Sequence, residues 1–261
     1  MMELKIIEWN IHGADDVYGY EMPSFVTEEI LNNQKPDVFV LTEFIGNTSS
    51  EEAMNGLRTK YTLYDNFKNG NAVLIGVKNT LNIVSAKPYE LTPEPDMPNF
   101  LGLELVFDPQ KKINIIGMRT RILLRGSKEA KSTFKINQLF MVNRFVEQIE
   151  GPYFLIGDLN VRGSWLNKPQ QRETWNWGGG GISVIPGYST AWKNPWRNEI
   201  EKAPLDNFIY KDVVIGQTKY DWDFRNKHGN HDIYFSNSDE LILPVKKGYP
   251  DHAILSTSIA I

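Results

Sequence analysis

The sequence predicts an α/β protein. Short apolar runs alternate with helical patterns along the chain, and a unit of strand, helix and strand ending in an acid occurs twice, at Leu4–Glu43 and Lys112–Asp158. Ligands of α/β proteins gather where strands end, so two equivalent ends could bring two carboxylates to one site. No low-complexity linker or composition break divides residues 1–261, which favours a single domain over that length.

In order, Leu4–Trp9 (LKIIEW) is rich in β-formers and reads as a strand. Ser24–Gln34 reads as a helix, with Ser24 a plausible N-cap and Pro36 closing it. Asp37–Glu43 (DVFVLTE) is a buried strand, and residues 71–78 (NAVLIGVK), 100–107 (FLGLELVF) and 112–119 (KINIIGMR) are further strands. The clearest helix is Ser132–Ile149, where Phe134, Ile136, Leu139, Phe140, Val142, Phe145, Val146 and Ile149 form a wide apolar face before Gly151-Pro152. Phe154–Gly157 is the end of another buried strand, followed by Asp158 and Asn160. A buried carboxylate without a partner is costly, so something positive should meet Asp158.

Composition narrows the chemistry. Apolar (41%) and charged (23%) fractions are those of an ordinary globular protein, and the absence of cysteine excludes disulfides and thiolate sites. The start lacks the basic region and long apolar core of a signal peptide, and no window is apolar enough to span a bilayer, so a cytoplasmic protein without membrane attachment is expected. A net charge of −4 argues against non-specific coating of nucleic acid but not against an enzyme acting on phosphate. The run Arg119–Lys135 holds six basic residues against one acidic, which suits either a solvated loop and helix start or a phosphate-facing rim.

Five segments share one form, an apolar strand with polar residues at its end. They are IIEWNIHG with Asn10 and His12, VFVLTE with Glu43, FLIGDLN with Asp158 and Asn160, PLDNFIY with Asp206, and GYPDHAILS with Asp251 and His252. Each alone is weak, because Asp-x-Asn is often turn chemistry and a lone histidine is often structural. Their order and joint presence carry the weight.

Together these motifs resemble those of the endonuclease/exonuclease/phosphatase superfamily of metal-dependent phosphoesterases, from Trp9-Asn10 through Gly-Asp-Leu-Asn to Asp251-His252. The resemblance implies two packed mixed β-sheets flanked by helices in a four-layer, DNase-like sandwich, with the site at one end. It implies Mg²⁺ or Mn²⁺, cations that prefer oxygen ligands, with Glu43 the main ligand and Asn10 and Asp251 assisting. Asp158 would orient or activate water, Asn160 would hydrogen-bond the phosphate, and Asp206 would hold His252 to stabilise developing charge. No obligate protein partner is implied.

Two features depart from the superfamily pattern. Asp232, in NHDIYFSN, is a second candidate for the orienting acid; Asp206 is favoured because Leu205 precedes it and Phe208-Ile209 follow, which would make Tyr220–Asn237 an insertion. Where nucleases of this group place His or Tyr after the strand INIIGM, this chain has Arg119 and Arg121, which can clamp a phosphate but cannot donate a proton at neutral pH. His12 is expected to be a hydrogen-bonding neighbour on the substrate side.

The expected substrate is a phosphodiester, foremost DNA or another nucleic acid. The alternatives are a small phosphorylated molecule such as an inositol phosphate or lipid head group, and a catalytically silent binding role. Trp175, Trp177, Trp192 and Trp196 around Gly178–Gly181 either stack on bases beside a mobile lid or close the core.

Overall fold

The structure is a computed structural model and describes residues 2–11, 22, 24–46, 48–66, 72–94, 96–123, 125–194, 199–228 and 250–261. Two six-stranded sheets dominate it, accompanied by a two-stranded ribbon of β10 (Thr190–Asn194) and β11 (Glu199–Ala203) and by two short helices, α4 (Gly163–Leu166) and α5 (Pro169–Thr174). The first runs in the order β13 (Val214–Asp221), β14 (Ile254–Ala260), β1 (Glu3–Asn10), β2 (Val38–Phe44), β4 (Ala72–Lys78), β3 (Tyr61–Asp65). The second runs β5 (Ser85–Tyr89), β6 (Asn99–Asp108), β7 (Lys111–Arg119), β8 (Tyr153–Asp158), β12 (Asp206–Lys211), β9 (Gly181–Ile182). In each sheet one central pair is parallel, β1–β2 and β7–β8, and every other pairing is antiparallel. The two sheets therefore repeat one plan, the physical form of the doubled strand–helix–strand unit.

The strands are apolar on both sides because both sides are covered. Between the sheets Leu4, Ile6, Val38, Val40, Val73 and Ile75 meet Leu103, Leu105, Ile113, Ile115, Phe154 and Ile156. Outside the first sheet Ile7, Trp9, Phe39 and Leu41 lie under Val26, Ile30, Met54 and Leu57 of the helical layer, α1 (Ser24–Glu28) with its π-helical continuation and α2 (Thr48–Arg58). Outside the second, Ile116, Met118, Tyr153 and Leu155 lie under Leu139, Val142 and Val146 of α3 (Lys128–Val146). The order helix, sheet, sheet, helix is the four-layer sandwich.

Several local expectations need correction. The helix read as Ser132–Ile149 is α3, Lys128–Val146, and Ser127 caps it, its Oγ accepting from the Ala130 N–H at 3.2 Å. Its buried stripe is narrower than the run of hydrophobics suggests. Phe140 remains 37% exposed, its ring edge-on to Trp175 at 5.4 Å. The first helix is α-helical only over Ser24–Glu28 and widens to a π-helix over Glu29–Gln34, which ends at Lys35 in the left-handed conformation (φ 47°). Residues Tyr220–Asp221 belong to β13, and α6 (Phe224–Lys227) buries Phe224 against Trp9, so this part of the expected insertion is integral to the first sheet and its cover. The glycines at 178–181 form a hydrogen-bonded turn leading into edge strand β9 rather than a lid. Trp175 and Trp177 are 2% and 1% exposed and complete the α3 core. Trp196, His12 and Asp232 lie outside the described residues.

Candidate active site

The parallel pairs of the two sheets end side by side. Asn10, the last residue of β1, stands beside Thr42 of β2, and Arg119, the last of β7, stands beside Asp158 of β8. Glu43 follows Thr42 where the β2–β4 register shifts between Leu41 and Phe44, and its φ is +53°. A bulge re-aims a side chain, and a non-glycine residue held in the left-handed region is strained in the way functional sites often are. The result is that Glu43 joins the side chains of the other sheet. Asn160 is also left-handed (φ +51°), which lets its backbone N–H and its Nδ2 both bond the Asp158 carboxylate, at 2.9 and 3.0 Å.

Gly157 sets the approach of this corner. A Cβ there would lie 1.8 Å from the Met118 carbonyl oxygen, so only glycine lets β8 run this close to β7 just before Asp158.

Asp158 is met from three sides. Asn10 Nδ2 donates to Asp158 Oδ2 and to Glu43 Oε1, each at 3.2 Å. Asn160 contributes the two bonds above. Arg119 places Nη2 2.5 Å from Glu43 Oε1 and Nε 3.8 Å from Asp158 Oδ2. The positive groups that meet Asp158 include, among the described residues, the Arg119 guanidinium, which also grips Glu43, and the His252 imidazole. Asn10 here presents its nitrogen to both acids.

Asp206 stands directly opposite Asp158 in the β12–β8 register, and its Oδ2 bonds His252 Nδ1 at 2.7 Å. The imidazole's partner is therefore Asp206. Trp9 Nε1 donates to the His252 carbonyl at 3.1 Å, and Ala253 N–H donates to the Ser189 carbonyl at 2.7 Å, tying the Asp251-His252 segment to β1 of the first sheet and to the stretch that leads into the Thr190–Asn194 strand. Asp251 Oδ1 lies 3.8 Å from His252 Nε2.

The electrostatics follow from burial and crowding. Burial, then the opposing Asp206 charge, pushes the Asp158 carboxyl up to about 6, while His252 and Arg119 pull it back. Burial alone would lower His252. The Asp206 charge and hydrogen bond, with Asp251 and Asp158, outweigh it and hold the imidazole well above its ordinary value, hence cationic.

Sequence reasoning missed several contributors. Glu8 is fully buried two residues before Asn10. Its Oε1 accepts from Thr42 Oγ1 at 2.9 Å, and burial with the charges of Asp206 and Asp158 raises its carboxyl well above the usual range. Its place between the apolar Ile7 and Trp9 of β1 was the available signal. Lys135 on α3 donates to the Asn160 carbonyl at 2.7 Å, and burial lowers its ammonium. The Tyr220 hydroxyl donates to the Asp206 carbonyl at 2.6 Å, and Ser189 Oγ accepts from the Asp206 N–H at 3.1 Å. Arg121, unlike Arg119, turns away from the acids: it donates to the Met97 carbonyl at 3.3 Å and lies over the Phe134 ring.

The donors suit a hard cation. Ligand atoms of Asp158, Asp206 and His252 lie within 4.8 Å of one another, a group that could hold a metal ion. The buried Asp206 Oδ1 has no hydrogen-bond partner among the described residues. An imidazole must be neutral to bind a metal, and His252 is held cationic and engaged by Asp206, so the carboxylate oxygens are the better ligands.

Solved structures share this architecture. Truncated TDP2 from Caenorhabditis elegans superposes with a TM-score of 0.64 at 15% identity, over 100% of this chain and 98% of that one. D. rerio TDP2 complexed with single-strand DNA product gives 0.63 at 15% identity, over 100% of both chains. ANGEL2, a 2',3'-cyclic phosphatase, gives 0.61 at 15% identity, over 99% of this chain and 95% of that one. No curated protein matches the chain in sequence. The model of the endonuclease/exonuclease/phosphatase family, whose members are metal-dependent phosphoester hydrolases, matches residues 7–257, and this chain belongs to that family.

Proposed function

We propose that the chain is a divalent-metal-dependent phosphodiesterase acting on nucleic acid. The observation that carries this reading is the convergence of Asn10, Glu43, Asp158, Asn160 and the Asp206–His252 pair on one cluster where the central strands of both sheets end. The structural likeness to a TDP2 complexed with single-strand DNA product and to the 2',3'-cyclic phosphatase ANGEL2 supports a phosphate ester within a polynucleotide.

In this reading Asp158 is the base that orients and deprotonates water, and its carboxyl near pH 6 is ionised and basic at neutral pH. His252 donates from Nε2 to a phosphoryl oxygen while Asp206 fixes Nδ1. Asn160 would hydrogen-bond the phosphate by turning an Nδ2–H away from the Thr120 carbonyl or Asp158, and Arg121 forms an outer positive contact. Glu43, with Asp251 and Asn10, would hold Mg²⁺ or Mn²⁺. Such an ion, when bound, neutralises charge on the phosphoryl oxygens as a Lewis acid.

The acidic balance (pI ≈ 5.7) favours one rival, hydrolysis of a small phosphorylated molecule such as an inositol phosphate or lipid head group. Incubation of the full chain with plasmid DNA, single-stranded DNA and a panel of inositol phosphates, in Mg²⁺, Mn²⁺ or EDTA, separates them. Nucleic-acid cleavage that EDTA abolishes is expected. Turnover of the small phosphates alone would replace this reading with its rival.

A further inference from the structure

Arg119 puts a guanidinium among the acids of the site, and the strand places it there. It is the last residue of β7, in register with Asp158, and its side chain is 13% exposed. Its grip is one-sided. Nη2 is 2.5 Å from Glu43, whereas Nε is buried with no hydrogen-bond partner among the described residues and remains 3.8 Å from Asp158. The same Glu43 is the residue assigned above to hold a divalent cation. A guanidinium stays charged at any working pH, so it cannot leave the competition by losing a proton. Two cations within a few ångströms in a buried cleft repel strongly, because the low local dielectric screens them poorly.

We propose that Arg119 is the built-in counter-ion of this site and must release Glu43 before a divalent cation is held there. The inference rests on the metal-dependent reading. Its chemistry is an exchange of partners: Arg119 gives up Glu43, and its guanidinium, with two edge nitrogens free, becomes available to a phosphate. Metal and phosphate binding are then coupled, each strengthening the other, because the free arginine that phosphate wants is the one the cation displaces. In the absence of phosphate the arginine weakens metal binding.

Isothermal titration of Mn²⁺ into the full wild-type chain, Arg119→Met, Arg119→Gln and Glu43→Gln tests this without reference to turnover. Arg119→Met and Arg119→Gln should bind Mn²⁺ at least tenfold more tightly than wild type, while Glu43→Gln should lose binding. The Gln variant keeps donors for Glu43 and guards against misfolding of the Met variant. In the wild type itself, the Arg119 Nε–H resonance should move as Mg²⁺ is added. Equal or weaker Mn²⁺ affinity in the arginine variants, or a resonance that stays in place while Mg²⁺ binds, overturns the exchange and leaves the metal reading standing. If wild type and both arginine variants bind no Mn²⁺, the metal reading falls and the exchange with it.

Discussion

Individual residues divide into those the sequence announces and those it hides. Asp158, Asn160 and His252 follow apolar strands in recognisable order, so their place at a strand end was legible. Glu8 was not, and Lys135 was legible only as the end of a basic run, because their surroundings come from other segments: Thr42 for Glu8 and the Asn160 carbonyl for Lys135. Arg119 was legible as a departure from the superfamily pattern, but not its bond to Glu43, which depends on the bulge before Phe44. Glu43→Gln and Asp158→Asn should each lower kcat by a factor on the order of 10² to 10³, as loss of one preorganised charged group does. Circular dichroism should show both folded, and full activity in either removes it from the machinery. Asp206→Asn tests the pair behind the imidazole. The Asp206 carboxylate is the main group raising His252, so a neutral partner lets its pKa fall. The alkaline limb of the pH–rate profile should then move to lower pH, and an unmoved limb would show that Asp206 does not act through His252.

Elements carry the next layer of constraint. Strand positions were readable because both faces of the central strands are covered, which leaves continuous apolar runs such as Val38–Leu41 and Phe154–Ile156. Helix ends were less so. Ser127 and Ser132 offer the same hydroxyl chemistry, and what marks Ser127 as the cap is local: the left-handed Gly126 before it (φ +124°) and the Ala130 N–H that its Oγ receives. β13 and α6 escaped notice because β13 alternates exposed polar with half-buried residues at a sheet edge. The close approach of β7 and β8 makes a testable demand at Gly157. Gly157→Ala drives a methyl into the Met118 carbonyl and should cost roughly 3 kcal/mol, the range of an overpacked site. Urea denaturation should show the midpoint falling with little change in slope, and an unaltered midpoint would mean the strands can separate without cost.

At the scale of the whole molecule, the fold brings acids from two sheets into one buried cluster, and that has a stability consequence. Asp158 titrates at about 6 when folded against 3.8 for the free group, so the fold favours its protonated form. That contribution is complete below pH 4 and is lost as pH rises through 6, at about 1.4 kcal/mol for each unit of difference. His252, raised above 6.5, acts in the same direction at higher pH: its stabilisation is present below 6.5 and is lost only as pH passes its folded value. Metal-free protein should therefore melt lower at pH 8 than at pH 5, by on the order of 5 °C. Mn²⁺ should raise the melting temperature more at pH 8, and a metal effect equal at both values would separate binding from the titration of Asp158 and His252. The most direct measurement is anomalous scattering from a crystal soaked in Mn²⁺ with inorganic phosphate. One manganese peak on the Glu43 carboxylate, with phosphate between it and His252 Nε2, is the expected result; manganese absent from Glu43 would contradict a shared cation site at the ends of the two sheets.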